Sequence, residues 1–215
     1  MRFGYWGIRG QGQFIRVSAA YLGVELQEEN PESREAWFEE KESMGFDFPN
    51  LPYLIDGDYK LTESRAIPRY IAAKAEKNEF FGSTPEEIGR VEMILGVWDD
   101  IRKGLFKGIW GAPSVEQAKT NVREAAMKLQ SKIDQMIALT KESWAVGENV
   151  TFADVVIFVN YEMFTALFGA MEMENIFSGL APHGDRFREL PGVKEFVSGD
   201  KRPWMMPGMI LGLSF

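Results

Sequence analysis

The hydrophobic pattern of the chain changes once, near residue 84, and this change limits the folds that the chain can adopt. Before that point, short apolar runs of strand length alternate with segments whose apolar residues recur every three or four positions. After it, the apolar residues follow helical spacing throughout. The sequence therefore predicts an α/β domain over residues 1–82, followed by an all-helical domain over residues 83–215.

The α/β domain is predicted to have the order β-α-β-α-β-β-α. Residues 2–6 form the first strand, residues 24–28 an edge strand, and residues 64–77 the last helix. The pair Asp56-Gly57 lies between two apolar runs, which predicts a two-residue hairpin turn of type I′. Helices packed on a small mixed sheet form the thioredoxin-like arrangement, and we expect that fold here.

Three sequence signatures mark helix starts in the all-helical domain. They are the candidate capping boxes Thr84-Pro85-Glu86-Glu87, Ser114-x-x-Gln117 and Thr151-x-x-Asp154. We interpret Asp154 as a structural cap whose loss impairs folding. A short last helix is predicted over residues 191–198.

Composition excludes several kinds of site and partner. The chain has no cysteine and one histidine, His183, which excludes disulfides, thiolate metal sites and histidine-cluster metal sites. Its net charge of −8 and the lack of a basic run argue against nucleic-acid binding. The longest apolar stretch, residues 155–168, is shorter than the roughly 18 residues of a membrane span. With no signal peptide at the start, we predict a cytoplasmic protein without a membrane span or a metal.

Motifs in both domains together resemble one family. They are Gly4-Tyr5-Trp6-x-Ile8-Arg9-Gly10, Trp37-x-x-x-Lys41, the thirteen residues from Gly45 to Gly57, Leu61-Thr62-Glu63-Ser64-x-Ala66-Ile67, Asp99-Asp100-Ile101-Arg102 and Thr151-x-x-Asp154. On these motifs the chain resembles the cytosolic glutathione S-transferases, nearest to class mu and similar also to class sigma. The resemblance covers nearly the whole chain and implies a transferase that uses glutathione as co-substrate.

The resemblance assigns catalysis to Tyr5, whose hydroxyl would donate a hydrogen bond to the glutathione thiolate. Taken alone, a tyrosine at a strand end is more often a core residue with a satisfied hydroxyl. Lowering a thiol pKa by two units takes about 2.7 kcal/mol, and one hydrogen bond to a charged group contributes about 1.5–3 kcal/mol. Because the chain has no cysteine, the nucleophile comes from a bound thiol.

The resemblance also implies a set of glutathione-binding residues, although each has a simpler interpretation as a cap, a core residue or a solvated charge. A cis bond before Pro52 would turn the Leu51 backbone toward the cysteinyl part, and Ser64 at a helix start would hold the γ-glutamyl carboxylate. The set is Trp6, Arg34, Trp37, Lys41, Asn50, Leu51, Pro52, Glu63 and Ser64, together with Asp100 from the partner subunit.

A homodimer and a site for small hydrophobic electrophiles are implied as well. Phe48 would anchor the dimer by filling a pocket of the partner subunit. The electrophile site would be lined by Ile8, Gln11, Phe106 and Trp110, with residues 204–211 as a candidate lid. Two other functions stay open, namely a glutathione-dependent isomerase of the sigma type and a non-catalytic protein, structural or carrying hydrophobic ligands, on the same fold.

Several positions depart from the pattern of class mu. Glu63 stands where that class usually has glutamine, and Trp110 stands where it often has tyrosine. Pro68 lies inside a predicted helix, where we expect it to distort the first turn.

Overall fold

The computed structural model describes residues 1–205, and of Glu174 only the backbone. Its contacts divide the chain into two units. The N-terminal unit comprises Met1–Asn78 and Leu190–Pro203, and the helical unit comprises Glu79–Glu189 and the described residues from Trp204. The division drawn from sequence placed residues 83–215 in one domain, whereas Leu190–Pro203, here called the C-terminal segment, packs with the N-terminal unit.

The helices and strands follow the order expected from the pattern. They are β1 (Arg2–Gly4), α1 (Gly12–Leu22), β2 (Gln27–Glu29), α2 (Arg34–Glu40), β3 (Tyr53–Asp56), β4 (Tyr59–Thr62), α3 (Ala66–Lys74), α4 (Pro85–Ile109), α5 (Val115–Thr140), α6 (Phe152–Ala170), α7 (Ala181–Arg188) and α8 (Val193–Gly199). Short 3-10 turns cover Lys41–Met44, Asn78–Phe81 and Glu174–Leu180. The predicted α/β class of the first domain is confirmed, whereas α7 was not predicted from the sequence.

The strands form one mixed sheet in the order β2-β1-β3-β4. Strand β1 is parallel to the edge strand β2 and antiparallel to β3, which pairs antiparallel with β4. Phe3 lies opposite Leu54, and Leu54 lies opposite Leu61. This register places β1, and the residue that follows it, near the middle of the sheet.

Strand β3 contributes to two apolar clusters, one on each face of the sheet. Leu54 packs in a cluster with Phe3 and Ile15. Its neighbours Tyr53 and Ile55 belong to a second cluster, which also contains Trp37 of α2. Successive side chains of a strand point to opposite faces, so one short strand holds helices on both sides.

The hairpin between β3 and β4 differs from the predicted turn type. Asp56 is the last residue of β3, and the loop consists of Gly57 and Asp58. Gly57 has φ 61, and Asp58 is not among the residues with positive φ. A positive φ at the first of the two loop residues but not at the second is typical of a type II′ turn, whereas a type I′ turn needs a positive φ at both.

Helix α3 is shorter than predicted and passes through Pro68 without a break. It begins at Ala66, so Pro68 is its third residue. The N–H groups of the first turn have no partner within a helix. A proline there removes no hydrogen bond, and the helix continues through it to Lys74.

Side-chain oxygens begin the long helices of the helical unit as predicted. Thr84 Oγ1 accepts a hydrogen bond from the N–H of Glu87, and Ser114 Oγ accepts one from the N–H of Gln117, both at 3.2 Å. The Gln117 side chain bonds Asn121 instead of returning to Ser114. The second capping box is therefore only half formed.

Helix α6 is the core helix of the helical unit. Its 19 residues are long and apolar enough to cross a membrane by length and composition, but 72% of that stretch is buried inside the protein. Aromatic rings of Phe164 and Phe168 stack with each other, and both contact Phe177. An apolar surface on all sides is what a helix needs when other helices surround it.

The C-terminal segment packs on α1 through a close backbone approach. Gly192, just before α8, has φ 78, and a Cβ atom there would lie 2.4 Å from the carbonyl oxygen of Ala20. Only glycine fits that conformation and that distance. Val193 is fully buried next to it, so this segment is a fixed part of the N-terminal unit.

Candidate functional site

Tyr5 follows the last residue of β1 and lies against the start of α1. The Gln11 N–H donates a hydrogen bond of 2.9 Å to Tyr5 Oη. The side chain is 7% exposed, and a Cβ atom at Gly12 would lie 2.5 Å from its ring. Glycine at this position lets the phenol reach the turn, where its hydroxyl can accept one hydrogen bond and donate another.

A buried cation lies beneath this turn. The guanidinium carbon of Arg16 is 5.2 Å from the centre of the Phe3 ring and 5.8 Å from that of Tyr5. Arg16 Nε and Nη2 donate to the two oxygens of Glu28, both at 2.9 Å, and Nη1 donates to the Ile8 carbonyl at 2.8 Å. Burial lowers the pKa of Arg16 below its ordinary value, against the opposing effect of Glu28. Its positive charge lies beside the phenol ring, where it favours nearby negative charge.

The Leu51–Pro52 peptide bond is cis, as the resemblance implied. The Leu51 N–H donates to Asn50 Oδ1 at 2.9 Å. Pro52 is buried, while Asn50 is exposed. The Leu51 N–H, which is expected to bind a ligand, therefore bonds to the side-chain amide of an exposed residue. It can leave this amide for a ligand.

The turn before α3 corrects the expected role of Ser64 as a helix cap. The helix begins at Ala66, and Ser64 lies in the preceding turn. Glu63 has φ 81, and its carbonyl accepts from the N–H groups of Ala66 and Ile67 at 3.1 Å each. A positive φ is uncommon for a glutamate and often marks a ligand site. Nothing in the sequence around Glu63 predicts it.

Two cations meet at one exposed aromatic ring on α2. The Arg34 guanidinium and the Lys41 ammonium lie 5.6 Å and 5.5 Å from the centre of the Phe38 ring. Phe38 is 52% exposed, and Lys41 also pairs with Glu42 at 2.9 Å. Phe38 was not among the site residues predicted from the sequence, although its spacing of four from Arg34 and three from Lys41 fits a shared helix face.

A cavity of about 350 Å³ lies beside Trp37 and carries negative charge. Trp37 is buried and stacks on Tyr53, with ring centres 6.0 Å apart. Burial, together with a hydrogen bond to Glu29, raises the pKa of Tyr53 to about 12. Glu32 and Glu40 line the same cavity. An anionic ligand is disfavoured there and favoured near Arg34 and Lys41.

The residues expected to line an electrophile site fall in two units. Gln11 is half-buried just before α1 and Ile8 lies in the turn after β1, both in the N-terminal unit. In the helical unit, the ring centres of Phe106 and Trp110 lie 5.9 Å apart, and Trp110 is 58% exposed. Residues 206–211 of the candidate lid, which was predicted at residues 204–211, lie outside the described residues.

Asp100 and Phe48 both lie on the surface of their units. Asp100 pairs with Lys132 at 2.7 Å, and the hydrogen bond and charge of that lysine hold the Asp100 pKa below its ordinary value. Phe48 is 78% exposed on the loop before β3. Among residues 1–205, no group of three or more His, Cys, Asp or Glu side chains is arranged to hold a metal.

Comparisons with known proteins agree on one family. The model of the glutathione S-transferase N-terminal domain matches residues 1–73, and that of the C-terminal domain matches residues 99–200. The class-mu 26 kDa isozyme 51 of Fasciola hepatica is 34% identical over 205 residues, covering 93% of this chain and 89% of that protein. Glutathione S-transferase Mu 4 of Rattus norvegicus is 37% identical over 161 residues, covering 72% and 71%.

A solved structure gives the same result for the fold. The crystal structure of the glutathione S-transferase Blo t 8 superposes with a TM-score of 0.83 at 28% identity, covering 96% of this chain and 97% of that one. The matches to domain models, to relatives and to this structure each extend over both units. The chain therefore belongs to the glutathione S-transferase family.

Proposed function

We propose that this chain is a glutathione transferase in which Tyr5 stabilises the thiolate of bound glutathione. The thiolate sulfur forms a bond to an electrophilic carbon, and a leaving group such as halide departs with its electron pair. The observation that carries the proposal is the 2.9 Å hydrogen bond from the Gln11 N–H to Tyr5 Oη. A donor to the phenol oxygen polarises its O–H bond, so that this hydroxyl donates more strongly to an anion.

The charges of the N-terminal unit support a binding mode for the tripeptide. Arg34 and Lys41, which both lie near the Phe38 ring, suit the glycyl carboxylate, and Trp37 on the same helix as Arg34 is proposed to contact it. The Lys41–Glu42 pair is at the surface, and such pairs contribute at most about 1 kcal/mol. An incoming carboxylate can therefore replace Glu42 at little cost.

The backbone on the other side of the site suits the rest of glutathione. The Leu51 N–H would exchange Asn50 Oδ1 for the cysteinyl carbonyl, in the manner of an added strand. The turn at Glu63 and Ser64 would hold the γ-glutamyl group, with the Glu63 carboxylate near the ammonium. Trp6 and Pro52 complete the proposed set.

We further propose that the protein is a cytoplasmic homodimer acting on hydrophobic electrophiles. An aromatic side chain 78% exposed on a loop, Phe48, is well suited to fill a pocket of a second copy. Asp100 would serve the partner's glutathione by leaving Lys132. Ile8, Gln11, Phe106 and Trp110 are the proposed contacts of the electrophile.

The test is the conjugation of glutathione to a dinitrohalobenzene by wild type and Tyr5→Phe. We expect Tyr5→Phe to lose at least about tenfold in rate at pH 6.5 while still binding glutathione, because the hydrogen bond to the thiolate is lost. Tyr70→Phe is the matched control, since Tyr70 bonds Asp56 and has no proposed role. Glutathione binding without conjugation in the wild type favours a non-catalytic binding protein, and turnover of a lipid endoperoxide favours the isomerase.

A further inference from the structure

Residues 200–203 lie directly against the turn that follows Tyr5. The Arg9 N–H donates to the Pro203 carbonyl, and Arg9 Nη2 donates to the Asp200 carbonyl, both at 2.8 Å. Gln13 Nε2 donates to Asp200 Oδ2 at 3.0 Å. The C-terminal segment therefore holds both ends of the span from Arg9 to Gln13.

The Asp200 carboxylate has a full set of donors. Its side chain is 1% exposed and accepts from Arg9 Nε at 3.3 Å, from Arg202 Nη1 at 2.9 Å and from the Arg202 N–H at 3.1 Å, besides Gln13. Burial by itself raises the pKa of Asp200, but the hydrogen bonds and charges of these partners outweigh it, and the pKa lies below its ordinary value. Asp200 is therefore charged at neutral pH and fixed in one geometry.

A second carboxylate joins this group to the floor of the same turn. Glu28 Oε1 accepts from Arg202 Nη2 at 2.6 Å and from Arg16 Nε at 2.9 Å. Arg16 in turn donates to the Ile8 carbonyl. The turn is held by the C-terminal segment on one side and by Arg16 on the other.

We propose that Asp200 is a positioning residue, which fixes Arg9 and Gln13 and thereby the Gln11 N–H that donates to Tyr5 Oη. Gln11 lies two positions from each anchored residue. Hydrogen bonds weaken steeply as their geometry departs from the optimum, so a looser turn stabilises the phenol, and through it the bound thiolate, less well. This inference rests on the proposed function and assigns to it a residue 195 positions away from Tyr5 in the sequence.

The experiment compares wild type with Asp200→Asn, which keeps the size of the side chain but removes its charge. We expect the pKa of the enzyme-bound glutathione thiol, read from thiolate absorbance against pH, to rise by about 0.5–1 unit, which is about a two- to fivefold loss of thiolate at pH 6.5 when the wild-type thiol pKa is about two units below its free value. The rate should fall with it and recover at high pH, while the KM for glutathione stays within about twofold, because no glutathione contact is removed. Amide hydrogen exchange at residues 9–13 should accelerate.

Val193→Ala is the matched control, because it loosens a fully buried residue of the same segment without touching Arg9 or Gln13. It should lower the stability and leave the thiol pKa unchanged. Gln13→Leu removes the hydrogen bond to Asp200 from the side of its donor. This variant replaces Asp200→Asn in the experiment if Asp200→Asn does not fold. It should shift the thiol pKa in the same direction.

Each outcome has one meaning. Unchanged exchange at residues 9–13, or faster exchange with an unshifted thiol pKa, overturns the positioning role. An equal pKa shift in Val193→Ala also overturns it, since any loosening would then suffice. A wild-type protein that binds glutathione without forming thiolate instead refutes the proposed function, and with it the need for positioning.

Discussion

The two units each contain a buried aspartate that joins separate segments, but the two carboxylates bind different partners. In the helical unit, Asp154 accepts from the N–H groups of Ala145 and Thr151 and lies 3.0 Å from His183 Nε2. These partners are at most 29 residues away. In the N-terminal unit, Asp200 binds side chains 187 and 191 residues away.

We interpret this difference as one between a residue that stabilises the fold and a residue that is proposed to position a site. Asp154 closes a local loop at the start of α6, as expected of a structural cap, and contacts no residue of the proposed site. Asp200 reaches the turn that carries the donor to Tyr5. The same residue type, similarly buried, is expected to act on stability in one unit and on chemistry in the other.

The largest effect is expected from Asp154→Ala. It leaves buried donors of Ala145 and Thr151 unsatisfied, which should cost about 3–5 kcal/mol of unfolding free energy. Urea unfolding followed by circular dichroism measures this loss. The molecules that remain folded should keep the wild-type pKa of bound thiol, and a shift like that of Asp200→Asn would remove the contrast between the two aspartates.

Arg16→Met is expected to have the next largest effect and to act on both stability and chemistry. The variant is similar in length, but it leaves the Ile8 carbonyl without its donor and removes both hydrogen bonds from Arg16 to Glu28, at a cost of about 2–3 kcal/mol. Because that donor holds the floor of the turn, the thiol pKa should also rise. Arg2→Met is the control, since Arg2 forms an exposed pair with Glu29 and should change neither quantity measurably. A stability loss without a pKa shift would restrict site positioning to Asp200.

A smaller effect on folding stability is expected when the pH is lowered. The pKa of Asp200 is lowered on folding, so its contribution to stability is complete above the unfolded pKa of about 3.9. It is lost as the pH falls through the lower folded value. The stability difference between wild type and Asp200→Asn should therefore be constant from neutral pH down to about pH 5 and shrink below pH 4. Urea midpoints measured across this range test it, and a difference that grows in acid would contradict it.

The smallest effect on stability is expected at an exposed carboxylate, in contrast to the two buried aspartates. Lys132→Ala removes the partner of Asp100 on the surface. Because solvent screens such pairs, the urea midpoint should not change measurably. The same variant frees Asp100 for a second copy, and the dimer fraction in light scattering should stay equal or rise. A clear fall in stability would show that α4 and α5 depend on this pair.

Local features of the fold were predictable because they depend on neighbours within four residues. The caps at Thr84 and Ser114 were read correctly from residue type and spacing. The hairpin was located, but its turn type was wrong, because Asp-Gly fits two adjacent registers of the loop and only strand pairing chooses between them. Helix α7 was missed because its eight residues, with Pro182 and Gly184 among them, show no apolar stripe.

The candidate site was predictable in part. The motifs located the turn after Tyr5, the cis bond at Pro52 and the cations Arg34 and Lys41. They did not indicate the positive φ of Glu63 or the gathering of Arg34 and Lys41 around Phe38. Backbone strain and cation–ring contacts depend on how the chain is held, which spacing alone does not specify.

The sequence by itself determined the order of strands and helices in the first domain and the starts of α4, α5 and α6, because periodicity and capping act over a few positions. Only the tertiary structure decided that the C-terminal segment returns to the first unit and that Asp200 meets Arg9 and Gln13. Contacts between residues nearly two hundred positions apart depend on the path of the whole chain, and no local pattern records them.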